Sequence, residues 1–393
     1  MLNTIGAIEE WVVNASSVSD KGKLCLLPLL LLFLCAPVGA LASVTYGLRA
    51  NSANGPTRIG NGFVVTTDAA GEATRICMSR FSILSCIDPR TWKRVWSEKT
   101  PYGSVDTDLY VSDNILLYAG GGGAWTIYGT SLDNGQILWH KSHQSFVLAT
   151  GRGKVFAANG TGVIAFAAGS GIKDWEFGPI APGVSPGAMF FWEGKLFTAS
   201  YILDAETGKL VKMLHSDSGA FAASRGRVFG ADSHGTLRTW NAASGALIWS
   251  RTVHSAKIGE QLAANSNDVF AVFYKDYAES AHQGVLKAYN AADGRVLWGR
   301  ELKSDTQTLP FSPIGADNSH VYLIVPSSTT RGFRLIGLES RTGKLLWSCS
   351  IAKTAYGPPV PTRDFVYLTV DRTTLVVIDK RDGKIVKSIP FPK

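Results

Sequence analysis

One short pattern recurs eight times along this chain, and nothing else in the sequence restricts the fold so strongly. One copy reads AYNAADGRVLW (288–298). Its relatives are CIDPRTWKRVW (86–96), GTSLDNGQILW (129–139), AFAAGSGIKDW (165–175), ILDAETGKLVK (202–212), TWNAASGALIW (239–249), GLESRTGKLLW (337–347) and VIDKRDGKIVK (377–387). The glycine position falls at 92 (a Trp there), 135, 171, 208, 245, 294, 343 and 383, with spacings of 36 to 49 residues. Units of about forty residues that cannot bury a core alone are the mark of a propeller, whose blades are four-stranded antiparallel sheets. The expected fold is therefore all-β, an eight-bladed propeller of four-stranded blades. The 41 glycines and the low charged fraction of 18% suit many short strands joined by tight turns.

Each position of the repeat has a physical role. Four residues before the glycine stand Asp88, Asp204, Asn241, Asn290, Glu339 and Asp379, whose side chains are placed to cap the backbone of the following turn. Ser131 and Ala167 are the exceptions. The glycine takes a backbone conformation with positive φ. Trp92 breaks that rule, so a differently shaped turn is expected in the first copy. The copies end on Trp96, Trp139, Trp175, Trp249, Trp298 and Trp347, flat rings with one N–H donor suited to docking on the neighbouring blade. Lys212 and Lys387 replace the ring in copies four and eight, where the seams must be filled otherwise. Upstream, FVLATGRG-KVFAAN, AFAASRG-RVFGAD and PPVPTRD-FVYLTV align, so each blade reads inner strand, second strand, third strand, turn, outer strand. The first blade is complete within 60–98 and the last outer strand, 384–389, ends the chain. Blade 8 is thus expected to pack on blade 1 with no strand exchanged, unless 44–49 adds one.

The eight strings resemble the tryptophan-docking motif of the PQQ-like eight-bladed propellers. That family includes the quinoprotein alcohol dehydrogenases and the non-enzymatic propeller of the bacterial outer-membrane assembly machinery. The resemblance spans about residues 60–390. Neither a GH…WD pairing nor a double glycine recurs per blade, so WD and kelch repeats fit poorly. For an enzyme of this family the resemblance implies a vicinal disulfide in many alcohol-oxidising members, a tryptophan platform under the cofactor, and acidic and amide ligands for calcium. The chain has no Cys-Cys pair. Trp192, in MFFWEG, is the nearest to a platform, ahead of Trp125 and Trp240; strand-end packing is its plainer reading. Asp106 and Asp108 are the nearest to calcium ligands, and a solvated loop is theirs. The chain is also shorter than the dehydrogenases. The expectation is no catalytic residue, no PQQ and no calcium: a scaffold or protein-binding module. A quinoprotein dehydrogenase and a glycan- or small-ligand-binding propeller are the alternatives.

Three motifs invite over-reading. GVSPG (183–187) fits the nucleophile-elbow pattern, which needs a strand–turn–helix that a blade connection does not offer. Gly120 to Gly123 precede no helix whose N-terminus could hold a phosphate. The seven histidines form neither HExxH nor a His/Cys cluster.

The apolar run LCLLPLLLLFLCAPVGALA (24–42) follows Lys21 and Lys23 and ends in a small-x-small pattern. Residues 1–42 read as a cleaved signal peptide, with an uncleaved signal anchor as the alternative; residues 43–393 form the propeller. Either way the propeller lies outside the cytosol, in the secretory pathway, the extracellular space or a periplasm. Membrane contact is expected only through an uncleaved anchor. The net charge of +8 is scattered with no basic block, so no nucleic-acid partner is expected. Asn159-Gly160-Thr161 is a glycosylation sequon in an expected exposed turn. Cys77 and Cys86 flank a turn near 80–81 and face each other either as a bridge or as two buried thiols, with Cys349 unpaired. Blades 6 and 7 lengthen their second-to-third connections, KDYAESAHQ (275–283) and PSSTTRG (326–332). There Tyr274, Tyr277 and Arg331 are the expected anchors for a protein partner of a monomeric propeller.

Overall fold

In the computed structural model each repeat becomes one antiparallel sheet, and eight sheets follow one another around a ring. The structure describes residues 51–52, 57–60 and 62–392 apart from 102–108, 121–124, 144–147, 160–161, 179–185, 187–188, 215–219, 233, 254–256, 275–282, 304–313, 328–331 and 352–353. All lie in one compact unit, Gly47–Lys393. Blade 5 shows the plan. Its inner strand Ala220–Ser224 turns tightly into Arg227–Ala231, then Thr236–Asn241, and the motif turn leads to the outer strand Leu247–Thr252. The middle strands are buried on both faces, as expected where each blade is sandwiched between two others. The eight hydrophobic clusters each straddle one seam. Between blades 5 and 6, for instance, Phe229, Leu237 and Trp249 meet Leu262, Val269 and Tyr289.

The ring closes where Tyr367, Leu375, Val377 and Phe391 of blade 8 pack on Phe63, Val65, Ile76 and Met78 of blade 1. Blade 8 draws all four strands from the C-terminal end, and among the described residues no strand is exchanged. Two details depart from expectation. Blade 1 has five strands, because Thr57–Gly60 pairs with Phe63–Thr67 ahead of the expected first strand. The added N-terminal strand is Asn51–Ser52, and it joins blade 6: it runs parallel to the inner strand Lys257–Ala264, opposite Ala263 and Ala264. The free edge of an inner strand faces the ring axis, so the chain covers the axial edge of blade 6 before starting blade 1. Residues 44–49 lie outside the described residues.

All eight motif turns share one backbone. In blade 6 the Asn290 N–H donates to the Arg295 carbonyl at 2.8 Å and the Gly294 N–H to the Asn290 carbonyl at 2.9 Å. Blade 1 repeats both bonds, Asp88 to Lys93 at 2.9 Å and Trp92 to Asp88 at 2.8 Å. Trp92 adopts a φ of 58°, in the same left-handed region as Gly294 at 70°. The different turn expected at Trp92 is thus corrected. The two cross-turn bonds and the seam packing outweigh a left-handed penalty of about 1–2 kcal/mol. Cys77 and Cys86 are opposite one another on adjacent strands and form a disulfide. Cys349 is a buried free thiol.

Candidate functional site

The docking tryptophans make one contact six times. Each indole Nε1 donates to a carbonyl in the motif turn of the next blade: Trp96 to Leu132 at 2.8 Å, Trp139 to Ala168 at 2.7 Å and Trp175 to Ala205 at 3.1 Å. Trp249 reaches Ala291 at 3.1 Å, Trp298 Ser340 at 2.8 Å and Trp347 Lys380 at 2.8 Å. The accepting residue always follows the cap position, and the ring lies over the motif glycine. A column of small residues completes the fit. Directly opposite each tryptophan on the third strand stands a small residue: Cys86, Gly129, Ala165, Thr239, Ala288 or Gly337. Opposite Lys212 and Lys387 stand Ile202 and Val377. The space an indole would fill is taken in those blades by a β-branched side chain, and Ile202 covers Gly245 of blade 5. At the blade 8–1 seam the ring comes from the other side, since Trp92 packs against the Val377 cluster.

The caps act as their residue types dictate. Asp88 accepts from the Arg90 N–H at 2.8 Å and Asp204 from Thr207 at 3.0 Å. Asn241 accepts from Ser244 at 2.9 Å, Asn290 from Ala292 at 2.9 Å and Asp379 from Arg381 at 2.8 Å. Glu339, one methylene longer, accepts from the Thr342 hydroxyl at 2.5 Å instead. Lys195 and the turn hold the Asp204 carboxyl down to about 2, and Arg381 does the same for Asp379. Both shifts come first from the ion pair with Lys195 or Arg381, with the bonds of the motif turn adding to it.

A largely buried charge cluster also lies in a seam. Asp317 of blade 7 accepts from the Tyr322 hydroxyl at 2.8 Å and pairs with Lys380 of the blade 8 motif turn at 2.6 Å. Lys380 further donates to the carbonyls of Thr362 at 2.9 Å and Arg363 at 3.1 Å. Burial raises the Asp317 carboxyl, but His320, Lys380 and the Ser319 N–H outweigh it and hold the group far below the usual carboxylate range.

Of the expected partner anchors, Tyr274 requires correction. It ends the second strand of blade 6 and is 1% exposed, packed in the blade 6–7 core. All seven residues of Asp268–Tyr274 are buried, because both faces of that strand meet protein. Tyr277, Arg331, Asp106 and Asp108 lie outside the described residues. Asn159 ends the second strand of blade 3 with its Nδ2 donating to Glu176 at 3.1 Å, a bond that a glycan on that nitrogen would displace. The turn residues Gly160 and Thr161 lie outside the described residues. Trp192 is half-buried, stacked on Phe190 with ring centroids 6.2 Å apart, and its buried Nε1 has no partner. Trp240 is buried in the blade 4–5 core.

The surface carries one regularity that the sequence analysis passed over. Among the described residues every exposed large apolar side chain except Phe81 lies within three residues before the docking position. Leu247 and Ile248, Val296 and Leu297, Leu345 and Leu346, and Ile385 and Val386 are such pairs. A one-residue register shift where each outer strand begins turns both members of these pairs outward. The outer strands line the circumference, so these side chains form a discontinuous aliphatic belt.

The family model described as outer membrane protein assembly factor BamB matches residues 79–213 and 198–355, more than half of the chain. The chain belongs to this family. None of the curated proteins matches it by sequence. Among solved structures, BamB from Moraxella catarrhalis is 13% identical with a TM-score of 0.57, covering 82% of this chain and 92% of its own. Quinohemoprotein alcohol dehydrogenase from Comamonas testosteroni is 15% identical with a TM-score of 0.55, covering 84% and 72%. Apo AztD from Citrobacter koseri is 11% identical with a TM-score of 0.58, covering 86% and 96%. At these identities the likeness shows the shared propeller.

The BamB-like family as a whole thus sits beside quinone enzymes in fold, which makes the fit of a quinone and calcium a question for this chain's own residues. Among the described residues no three His, Cys, Asp or Glu side chains converge as a metal site would require. The Trp192 ring is stacked on Phe190 and packed against the blade 4–5 core rather than presented as a bare platform.

Proposed function

We propose that this chain is a non-catalytic propeller that holds protein partners against its rim, in a compartment outside the cytosol. The aliphatic belt carries the reading. Exposed apolar pairs recur on the outer strands of successive blades, and they give the rim apolar area that a protein partner can cover. The Cys77–Cys86 bridge supports an oxidising compartment, as does the apolar run 24–42 read as a signal or anchor. The family's description as an assembly factor supports a protein partner over a small-molecule substrate. A glycan on Asn159 and a monomeric state belong to the same reading.

The test places a photo-crosslinking residue at Leu247, Leu346 or, as a control, the exposed Arg225 of the full chain in its native compartment. Protein adducts should form from the two belt positions and not from Arg225. Absence of adducts at every belt position removes the proposal. Quinone absorbance and dye reduction with an alcohol after addition of PQQ and calcium would establish the dehydrogenase reading in its place.

A further inference from the structure

A cleft of about 140 Å³ opens at the rim between blades 6 and 7. Arg300 and Leu302 of the blade 6 outer strand form one wall, and Val325, Arg334, Ile336 and Leu345 of blade 7 the other. Its two guanidiniums are largely unspent. Arg300 donates one bond, from Nη1 to the Gly343 carbonyl at 3.3 Å. Among the described residues the Arg334 side chain has no hydrogen-bond or ion-pair partner, and its Nε is buried. A buried N–H of a charged group is costly to leave unmade. Glu301 is the single carboxylate of the lining and is exposed, so the cleft keeps a net positive charge. The remaining walls are aliphatic. Two planar forks beside an apolar wall are matched by a carboxylate with a short hydrocarbon group attached, since guanidinium binds carboxylate through paired N–H bonds. The volume is close to that of an engineered cavity of about 150 Å³ that holds benzene, so one branched side chain fits beside the carboxylate.

We infer that the blade 6–7 cleft binds a carboxylate bearing a short aliphatic group. Two sources present that chemistry: a free branched acid, and the last residue of a protein chain ending in Leu, Ile or Val. The second rests on the protein-binding reading above; the first is independent of it.

Saturation-transfer NMR on the full chain tests this with N-acetyl-leucine, N-acetyl-leucinamide and the peptide Gly-Gly-Gly-Leu with a free or amidated terminus. The two acids should bind and their amides should not. Arg334→Met and Arg300→Met should each weaken binding at least tenfold, with Arg334→Lys between wild type and Arg334→Met. The melting temperature of Arg334→Met should not fall, because the side chain makes no bond to lose, so a folding defect is separable from lost binding. A peptide at least tenfold tighter than the free acid assigns the site to a chain terminus, and equal affinity assigns it to a free acid. Equal binding of acid and amide, or wild-type binding by both methionine variants, overturns the inference. Belt crosslinks that persist in Arg334→Met would show that the partner-binding reading survives its failure.

Discussion

Trp249 lies flat over Gly294 of the next blade, and a Cβ added to that glycine would sit 2.7 Å from the indole Cδ2. The same ring donates to the Ala291 carbonyl, one residue past the Asn290 cap, so one side chain fixes both the distance and the tilt between blades 5 and 6. The repeat is therefore a joint, and its glycine serves the joint twice: by its left-handed φ of 70° and by its missing side chain.

Gly294→Ala should accordingly cost about 2–4 kcal/mol, combining left-handed strain with overpacking against the ring. Gly299→Ala is the control. Its added Cβ would meet nothing nearer than Val285 at 3.7 Å, an ordinary contact, and should change stability by less than about 0.5 kcal/mol. Urea unfolding midpoints of the two variants check the difference.

The pairing of Ile202 with Lys212 predicts a specific non-additivity. Lys212→Trp alone would drive an indole into space that Ile202 already occupies over Gly245, and should destabilise by about 1–3 kcal/mol. Ile202→Ala alone leaves a cavity, at about 2–4 kcal/mol. The double variant recreates the Ala165–Trp175 pair of blade 3 and should recover at least about 1 kcal/mol of the summed loss. A double-mutant cycle from thermal or urea unfolding measures this; additive losses would contradict the size-matching account.

How much of this was legible beforehand depended on sequence distance. The blade count and the six docking rings lie within eleven-residue strings, so one repeat displays them. The small residue opposite each ring sits in the same strings but is read only by comparing columns. That blade 8 meets blade 1 without an exchanged strand was legible from the first and last copies, but the filling of that seam was not, because it matches Trp92 with Val377 across almost the whole chain. Tyr274 was misread for a different reason. It adjoins a long connection, yet a propeller's middle strands are covered on both faces, so nearness to a loop carries no exposure. The Arg300–Arg334 cleft needs two blades side by side, which no single repeat contains.

The Cys77–Cys86 bridge closes a short loop at a separation of 9 residues. In the chain-entropy account a loop of that size stabilises by roughly 2–3 kcal/mol. Reduction, or the pair Cys77→Ser and Cys86→Ser, should lower the unfolding free energy by about that amount. Mass spectrometry after alkylation under denaturing, non-reducing conditions should label Cys349 and leave Cys77 and Cys86 unmodified.

Asp317 supplies the pH-dependent prediction. Its folded carboxyl is held well below the unfolded value of about 3.9 by Lys380, His320 and the Ser319 N–H, against the opposing effect of burial. A lowered folded pKa contributes stability that is present above about pH 4 and is lost as pH falls through the folded value. At pH 7, Asp317→Asn leaves the Lys380 ammonium between blades 7 and 8 without its carboxylate partner, beside the neutral carbonyls of Thr362 and Arg363. Removing one member of a largely buried pair costs about 3 kcal/mol. Lys380→Met in the same chain removes the stranded charge and should restore part of that loss. As the pH drops toward 3, the unfolded wild-type chain begins to take up a proton at Asp317 while the folded chain keeps the group ionised, so part of the stabilisation is lost; the Asn variant has nothing there to titrate. The difference in melting temperature between wild type and Asp317→Asn should therefore be largest near neutrality and shrink on acidification. A gap that stays constant or widens from pH 7 to pH 3 would show that the Asp317–Lys380 pair is not what joins those blades.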